Sequence, residues 1–133
     1  DQRFERALEL DPNDATVMNN YAYFLSLRGE RLDRAEALSK KSNELEPDNT
    51  SYEDTYGWIM FMMGNFKDAK TWIEKSLLHG GENSAAVLEH YGDVLYKLGD
   101  TQQALDYWQR AKSAGDGASD QLDQKILQKK FVE

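Results

Sequence analysis

The sequence contains no cysteine, and its 133 residues include two histidines, His79 and His90. The missing thiols exclude disulfide cross-links, zinc sites built from thiolates, and cysteine nucleophiles. The two histidines lie on different predicted helices, so they lack the spacing of about four residues that puts two ligands on one helix face. We therefore predict that the chain has no metal site.

Motifs of catalysis and cofactor binding are missing as well. The sequence has no G-x-G-x-x-G fingerprint, no P-loop and no G-x-S-x-G nucleophile elbow. We therefore predict that the chain is not an enzyme, has no catalytic residues and uses no cofactor.

Long apolar runs are also lacking, and none approaches the ~20 residues that a membrane-spanning helix requires. No secretory signal peptide is recognisable. We expect no direct insertion into a membrane. Because the sequence starts at Asp1 and enters a helical pattern at once, we expect it to be a fragment whose upstream part could carry a targeting signal.

Positive charge is scarce: the sequence has 16 basic and 24 acidic residues, which gives a formal net charge of −8. Such a field repels the phosphate backbone of DNA and RNA, which excludes nucleic acid as a partner. It attracts basic ligands, so we expect a protein or peptide partner that combines basic and apolar character.

An internal repeat dominates what the sequence does contain. Tyr21, Tyr56 and Tyr91 are each separated by 35 residues (56 − 21 and 91 − 56). The same period relates three further sets of residues: Ala22, Gly57 and Gly92; Leu25, Met60 and Leu95; Gly29, Gly64 and Gly99. The period predicts three full units at 15–49, 50–84 and 85–118, preceded by the second half of a truncated unit at 1–14.

Within each unit the apolar residues recur three and four positions apart, which predicts two helices per unit. Small residues stand where the paired helices meet. Gly57 and Gly92 face Ala69 and Ala104, so the two backbones of each pair can approach closely. We expect the recurrent tyrosines to lie in the core, together with the three-spaced Met60 and Met63.

The third unit carries the pattern Tyr91-Gly92-x-x-Leu95-x-x-x-Gly99-x-x-x-x-Ala104-x-x-x-Trp108-x-x-Ala111. This pattern resembles the tetratricopeptide repeat family. The resemblance implies an all-α fold, a right-handed α–α superhelix of three full repeats with a preceding half repeat and a C-terminal capping helix, forming one domain over residues 1–133. The chain looks like the C-terminal part of a larger bacterial protein, which suggests a periplasmic or cell-envelope location, with the cytoplasm as the alternative.

We expect the capping helix to span about 119–131. One face of this predicted helix is apolar and would cover the last repeat; the other is polar and would face solvent. The apolar face comprises Leu122, Ile126 and Leu127, and the solvent face comprises Lys125, Gln128, Lys129 and Lys130.

In this family the first helix of each repeat lines a concave groove, so the resemblance implies a peptide-binding groove on those helices. The candidate groove residues are Asn19, Asn20, Tyr23, Asp54, Trp58, Phe61, Glu89, His90, Asp93 and Tyr96. An alternative interpretation is that Trp58 and Phe61 fill space between repeats. The carboxylates Asp54, Glu89 and Asp93 would then form an ordinary solvated face.

The resemblance thus implies a non-catalytic scaffold that binds a peptide or protein segment. A subset of the family clamps acidic chaperone tails with basic groove residues, but Lys97 alone cannot rebuild that clamp, so we predict no binding of such a tail. Two other functions stay open. The chain could form a homodimer through its truncated N-terminal end, where the helix of Phe4 and Ala7 lacks its partner, or serve as the docking domain of a larger enzyme.

Overall fold

The structure is a computed structural model that describes residues 2–133. Within this range it contains eight α-helices, one short 3-10 helix at Gly81–Asn83, and no strand. The helices are α1 (Gln2–Leu10), α2 (Ala15–Arg28), α3 (Leu32–Leu45), α4 (Thr50–Met62), α5 (Phe66–Leu78), α6 (Ala85–Lys97), α7 (Thr101–Ala114) and α8 (Leu122–Gln128). None of the helices in residues 2–133 combines the length and apolarity needed to cross a bilayer.

The helices pack as antiparallel pairs that follow one another along the chain. The most extensive contacts join α2 to α3, α4 to α5, and α6 to α7, and each pair then packs on the next through α3–α4 and α5–α6. Successive first helices of the pairs are also in contact, α2 with α4 and α4 with α6. The predicted all-α solenoid is therefore confirmed. Each pair lies inside one of the units 15–49, 50–84 and 85–118, whose boundaries stay a prediction.

Side-chain hydrogen bonds begin several of the helices, and a glycine in a left-handed conformation follows the end of α4. Asp14, Asn49, Ser84 and Asp100 each place a side-chain oxygen 3.0–3.3 Å from the backbone N–H three residues on, which caps the helix that follows. Gly64 ends the turn after α4 with a φ of 84°, a backbone conformation that favours glycine.

One continuous core runs through the stacked pairs. Its fully buried side chains include Tyr21, Ile59 and Trp108. Tyr21 and Tyr91 are buried as predicted, whereas Tyr56 is half-buried with its ring edge-on to Trp72.

The prediction for Met63 was wrong. Met60 lies in the core, but Met63 is 37% exposed. Met63 is the residue that follows α4, immediately before the chain turns at Gly64. A three-residue spacing keeps two side chains on one helix face only while the helix continues next to its neighbour.

The C-terminal helix is shorter than the predicted range 119–131 and presents a different face. It spans Leu122–Gln128 and stops because Lys129 adopts a left-handed φ of 55°, which lets the Lys130 N–H reach the Lys125 carbonyl at 3.3 Å. Lys125, predicted to face solvent, is buried, and Leu127, predicted to be covered, is 81% exposed. The buried carboxylates described below draw Lys125 inward and thereby fix the rotation of α8.

Gly92 marks the closest approach within the last helix pair. A Cβ at this position would lie 2.5 Å from the Trp108 ring and 3.1 Å from the Ala104 carbonyl oxygen. Gly57 is equally crowded, with the Ile73 side chain at 2.6 Å. The predicted pairing of small residues is confirmed for the α4–α5 and α6–α7 pairs, and a side chain larger than hydrogen at either glycine would force its neighbours to move.

We predict that Gly92→Ala lowers the free energy of unfolding by about 1–3 kcal/mol, because Trp108 must move to admit the methyl group. The expected sign is opposite to the gain of about 1 kcal/mol that alanine brings in an uncrowded helix. Equilibrium unfolding in urea measures the change, with Gln102→Ala on the exposed face of α7 as the control. A Gly92→Ala chain as stable as the parent would contradict the close approach.

Candidate functional site

A cavity of about 820 Å³ opens on the face formed by α2, α4 and α6. Each of these helices contributes side chains to it: Tyr23 from α2, Trp58 and Phe61 from α4, and His90 and Asp93 from α6. The first helices of the pairs therefore share one groove. The chain after Gly117 closes one side of the groove, and sequence reasoning had not placed it there.

An aromatic cluster forms the floor of the groove. The Trp58 ring stacks on Phe61, with centroids 4.6 Å apart, and on His90, with centroids 4.2 Å apart. Phe61 is 6% exposed and belongs to the core, while Trp58 is half-buried. The alternative interpretation is thus correct for Phe61, which fills space, and Trp58 keeps part of its ring open to the cavity.

Asp54 and His90 join α4 to α6. The His90 Nδ1 lies 3.0 Å from both Asp54 carboxylate oxygens. Burial opposes protonation of His90, but the charge and hydrogen bond of Asp54, with help from Asp93 and Glu89, outweigh it, so the pKa of His90 is raised above its ordinary value. This pair fixes the orientation of the ring against which Trp58 stacks.

The two remaining carboxylates of the groove are buried and paired. Lys125 places its ammonium 2.7 Å from a Glu89 oxygen and 2.9 Å from an Asp93 oxygen. Trp108 donates its ring N–H to Asp93 at 3.0 Å, and the Ser119 N–H donates to Glu89 at 2.7 Å. The predicted solvated acidic face is therefore wrong for Glu89 and Asp93, because the C-terminal segment covers both carboxylates.

The pKa values of the two carboxyl groups shift in opposite directions, although both groups bind the same ammonium. Burial raises the pKa of Asp93 to about 6, and the charge and hydrogen bond of Lys125 act against that rise. Burial also favours protonation of Glu89, but its hydrogen bonds from Lys125 and Ser119 prevail, and the pKa of Glu89 is lowered. Asp93 therefore takes up a proton before Glu89 as the pH falls.

Three contacts between successive first helices repeat at a spacing of 36 residues. Thr16 and Tyr52 exchange a hydrogen bond at 2.8 Å, Asp54 pairs with His90, and Glu89 pairs with Lys125. The spacing exceeds the period of 35 by one, so each residue contacts the position that follows its own equivalent in the next repeat. By this register α8 occupies the place where the first helix of a fourth repeat would lie.

Not all the predicted groove residues line the cavity. Tyr23, Trp58, Phe61, Glu89, His90 and Asp93 do, and Asp54 lies behind His90. Asn19 is buried, Asn20 is exposed outside the cavity, and Tyr96 is half-buried against Trp108, so these three do not line it. The cavity is also lined by Met62, whose sequence context favours an exposed apolar groove position, and by Leu27, Phe66, Lys125 and Phe131, which were not predicted to lie there.

Comparison with known proteins identifies this architecture. The sequence profile described as tetratricopeptide repeat matches residues 4–37. YrrB, a tetratricopeptide repeat protein with an unusual peptide-binding site, is 32% identical, with a TM-score of 0.71 over 84% of this chain and 57% of its own. The chain belongs to the tetratricopeptide repeat family. The fold of this family is a protein-interaction scaffold that is generally non-catalytic.

Two further solved structures share the fold. Pseudomonas aeruginosa PilF is 26% identical with a TM-score of 0.72, covering 87% of this chain and 52% of its own. The first tetratricopeptide domain of Spaghetti (RPAP3), bound to the HSP90 peptide SRMEEVD, is 13% identical with a TM-score of 0.76, covering 90% and 92%. The chain thus spans little more than half of YrrB and PilF. No curated protein has a sequence that matches this chain.

We predict that Lys125→Met lowers the free energy of unfolding by about 3–5 kcal/mol, because Glu89 and Asp93 lose their ammonium while they stay buried. Urea unfolding measures the loss, and Lys130→Met, at an exposed position of the same segment, is the matched control. Equal stability of the two variants would show that the ion pairs of Lys125 with the buried carboxylates do not stabilise the fold.

We also predict that stability falls as the pH rises from 6 to 8.5. A histidine whose folded pKa is raised stabilises the fold below its unfolded pKa of about 6.5, and this contribution is lost as the pH passes the folded pKa. Thermal unfolding of the parent and of His90→Gln measures the part due to His90. The pKa of His79 is raised too, chiefly by its hydrogen bond to Glu53, so the difference between the two curves is diagnostic. Parallel curves would contradict the role given to Asp54 and His90.

Proposed function

We propose that the chain is a non-catalytic scaffold that holds a peptide or protein segment in the groove between α2, α4 and α6. The observation that carries this proposal is an exposed apolar rim beside the aromatic floor. Tyr23 is 41% exposed, Leu27 62% and Met62 37%, and all three line the cavity. Exposed apolar side chains gathered at one concave site are typical of surfaces that bind a partner.

The chemistry of the rim favours an apolar anchor on the partner. Tyr and Met are enriched where proteins bind one another, because each offers a large contact area and adapts to its neighbour. The half-buried Trp58 lies beside them and is the strongest candidate for a side chain that contributes much of the binding energy.

Charge acts over distance more than by contact. Asp54, Glu89 and Asp93 are already paired within the chain, so they offer little to a basic side chain of the partner. The net charge of −8 still attracts a basic segment and speeds its arrival. We therefore expect added salt to slow association with a basic, apolar segment, and to leave dissociation nearly unchanged.

An acidic chaperone tail is a poor fit. The peptide held by Spaghetti carries two adjacent glutamates and ends in aspartate. Among the described residues that line the cavity here, the lysines are Lys97 and Lys125, and Lys125 is committed to Glu89 and Asp93. One lysine in a field of net negative charge does not select such a ligand.

Selection from a random dodecapeptide library displayed on phage tests the proposal. We predict that selected peptides lose about 30-fold in affinity for the double variant Tyr23→Ala plus Met62→Ala, as expected when anchors worth about 2 kcal/mol are removed. Isothermal titration calorimetry with synthetic peptides measures the loss. The matched control, Gln102→Ala plus Gln109→Ala, changes two exposed residues of α7 and should bind like the parent.

Two results would contradict the proposal. Peptides that bind both double variants equally would lie outside the groove. A parent chain that selects no peptide and forms a dimer by light scattering, lost in the groove variant, would favour self-association as the function instead.

A further inference from the structure

The segment 129–133 turns back from the end of α8 toward the groove. The left-handed Lys129 reverses the chain, and the Lys130 N–H closes the turn on the Lys125 carbonyl. Phe131, Val132 and Glu133 then line the cavity. The chain's own residues therefore occupy part of the space that a partner would use.

Phe131 lies at the aromatic end of the groove. Its ring meets Phe61 edge-on, with centroids 5.5 Å apart and planes at 61°. The ammonium groups of Lys97 and Lys125 lie 4.8 Å and 5.0 Å from its centroid. An edge-on contact plus two cations near the ring is a recognition environment for an aromatic side chain.

The two parts of the C-terminal segment are held very differently. Lys125 is anchored by its buried ion pairs with Glu89 and Asp93, so α8 belongs to the folded core. Among the described residues, none exchanges a hydrogen bond with residues 131–133, and Phe131 remains partly exposed. Residues 131–133 can therefore leave the groove while α8 and its closing turn stay in place.

We propose that Phe131 is an intramolecular pseudo-ligand: it occupies the subsite in which an aromatic side chain of the partner binds, and the partner must displace residues 131–133. This inference rests on the proposed function, since the segment competes only where a partner uses the groove. It adds that the partner's anchor is aromatic, and that removing Phe131 strengthens binding.

A neutral fluorescent apolar probe, N-phenyl-1-naphthylamine, tests occupancy of the subsite without knowledge of the partner. We predict that Phe131→Ala binds the probe about tenfold more tightly than the parent. Leu127→Ala removes an exposed apolar side chain of the same region outside the groove, and it should bind the probe like the parent. Circular dichroism confirms that each variant retains its helices.

A peptide with the sequence of residues 128–133 provides the test in trans. It should displace the probe from the Phe131→Ala chain at millimolar concentration, and the same peptide with alanine in place of Phe131 should not. Equal displacement by both peptides, or unchanged probe affinity in a folded Phe131→Ala chain, would overturn the proposal. A chain lacking residues 131–133 is the second variant, and loss of helical structure in both variants would make Phe131 a structural residue and also overturn it.

The two proposals fail in different ways. If Phe131→Ala leaves the affinity for the probe unchanged but selected peptides still need Tyr23 and Met62, the groove binds a partner and residues 131–133 are not its competitor. If Phe131→Ala binds the probe more tightly, as predicted, but neither the parent nor this variant selects a peptide, residues 131–133 occupy the groove and the scaffold proposal is wrong.

Discussion

The close approach of the two helices in each pair is the constraint on which the rest of the structure depends. Where Gly92 meets Trp108 and the Ala104 carbonyl, no side-chain carbon fits between the backbones. That contact fixes how each first helix lies on its second helix. The same kind of contact recurs at Gly57 in the α4–α5 pair. Contacts of α2 with α4, and of α4 with α6, then place the first helices side by side along the groove.

Polar contacts then set the register from one pair to the next. Bonds at a spacing of 36 residues link α2 to α4, α4 to α6, and α6 to α8. The last of these differs in chemistry, because a lysine enters between two buried carboxylates. Burying three charges stabilises little by itself, but removing one of them leaves the others unpaired. Lys125 therefore specifies where α8 docks more than it adds to stability.

The sequence predicts the helices and their pairing well, because both follow from spacing that repeats. It predicts the groove less well, since the rule that charged side chains face solvent fails where a partner lies far away in sequence. For this reason Lys125 is buried and Leu127 is exposed, the reverse of what the sequence pattern predicts. The position of Phe131 depends on the turn at Lys129, and no local pattern predicts a left-handed lysine. The signal that points to Lys125 is its spacing of 36 residues from Glu89, which is the spacing of the Asp54–His90 pair.

The pairing of Glu89 and Asp93 with Lys125 affects how the groove, in its proposed function, would discriminate between partners. Had Glu89 and Asp93 been free, any basic peptide could have bound through charge alone, with affinity that falls steeply as salt rises. In the proposed function, Lys125 is paired with both carboxylates, so selectivity within the groove would depend on shape and on contact with the half-buried Trp58. Charge then governs how often a partner arrives, and apolar fit governs how long it stays. In the proposed function, the acidic surface and the apolar rim would thus act at separate steps of recognition.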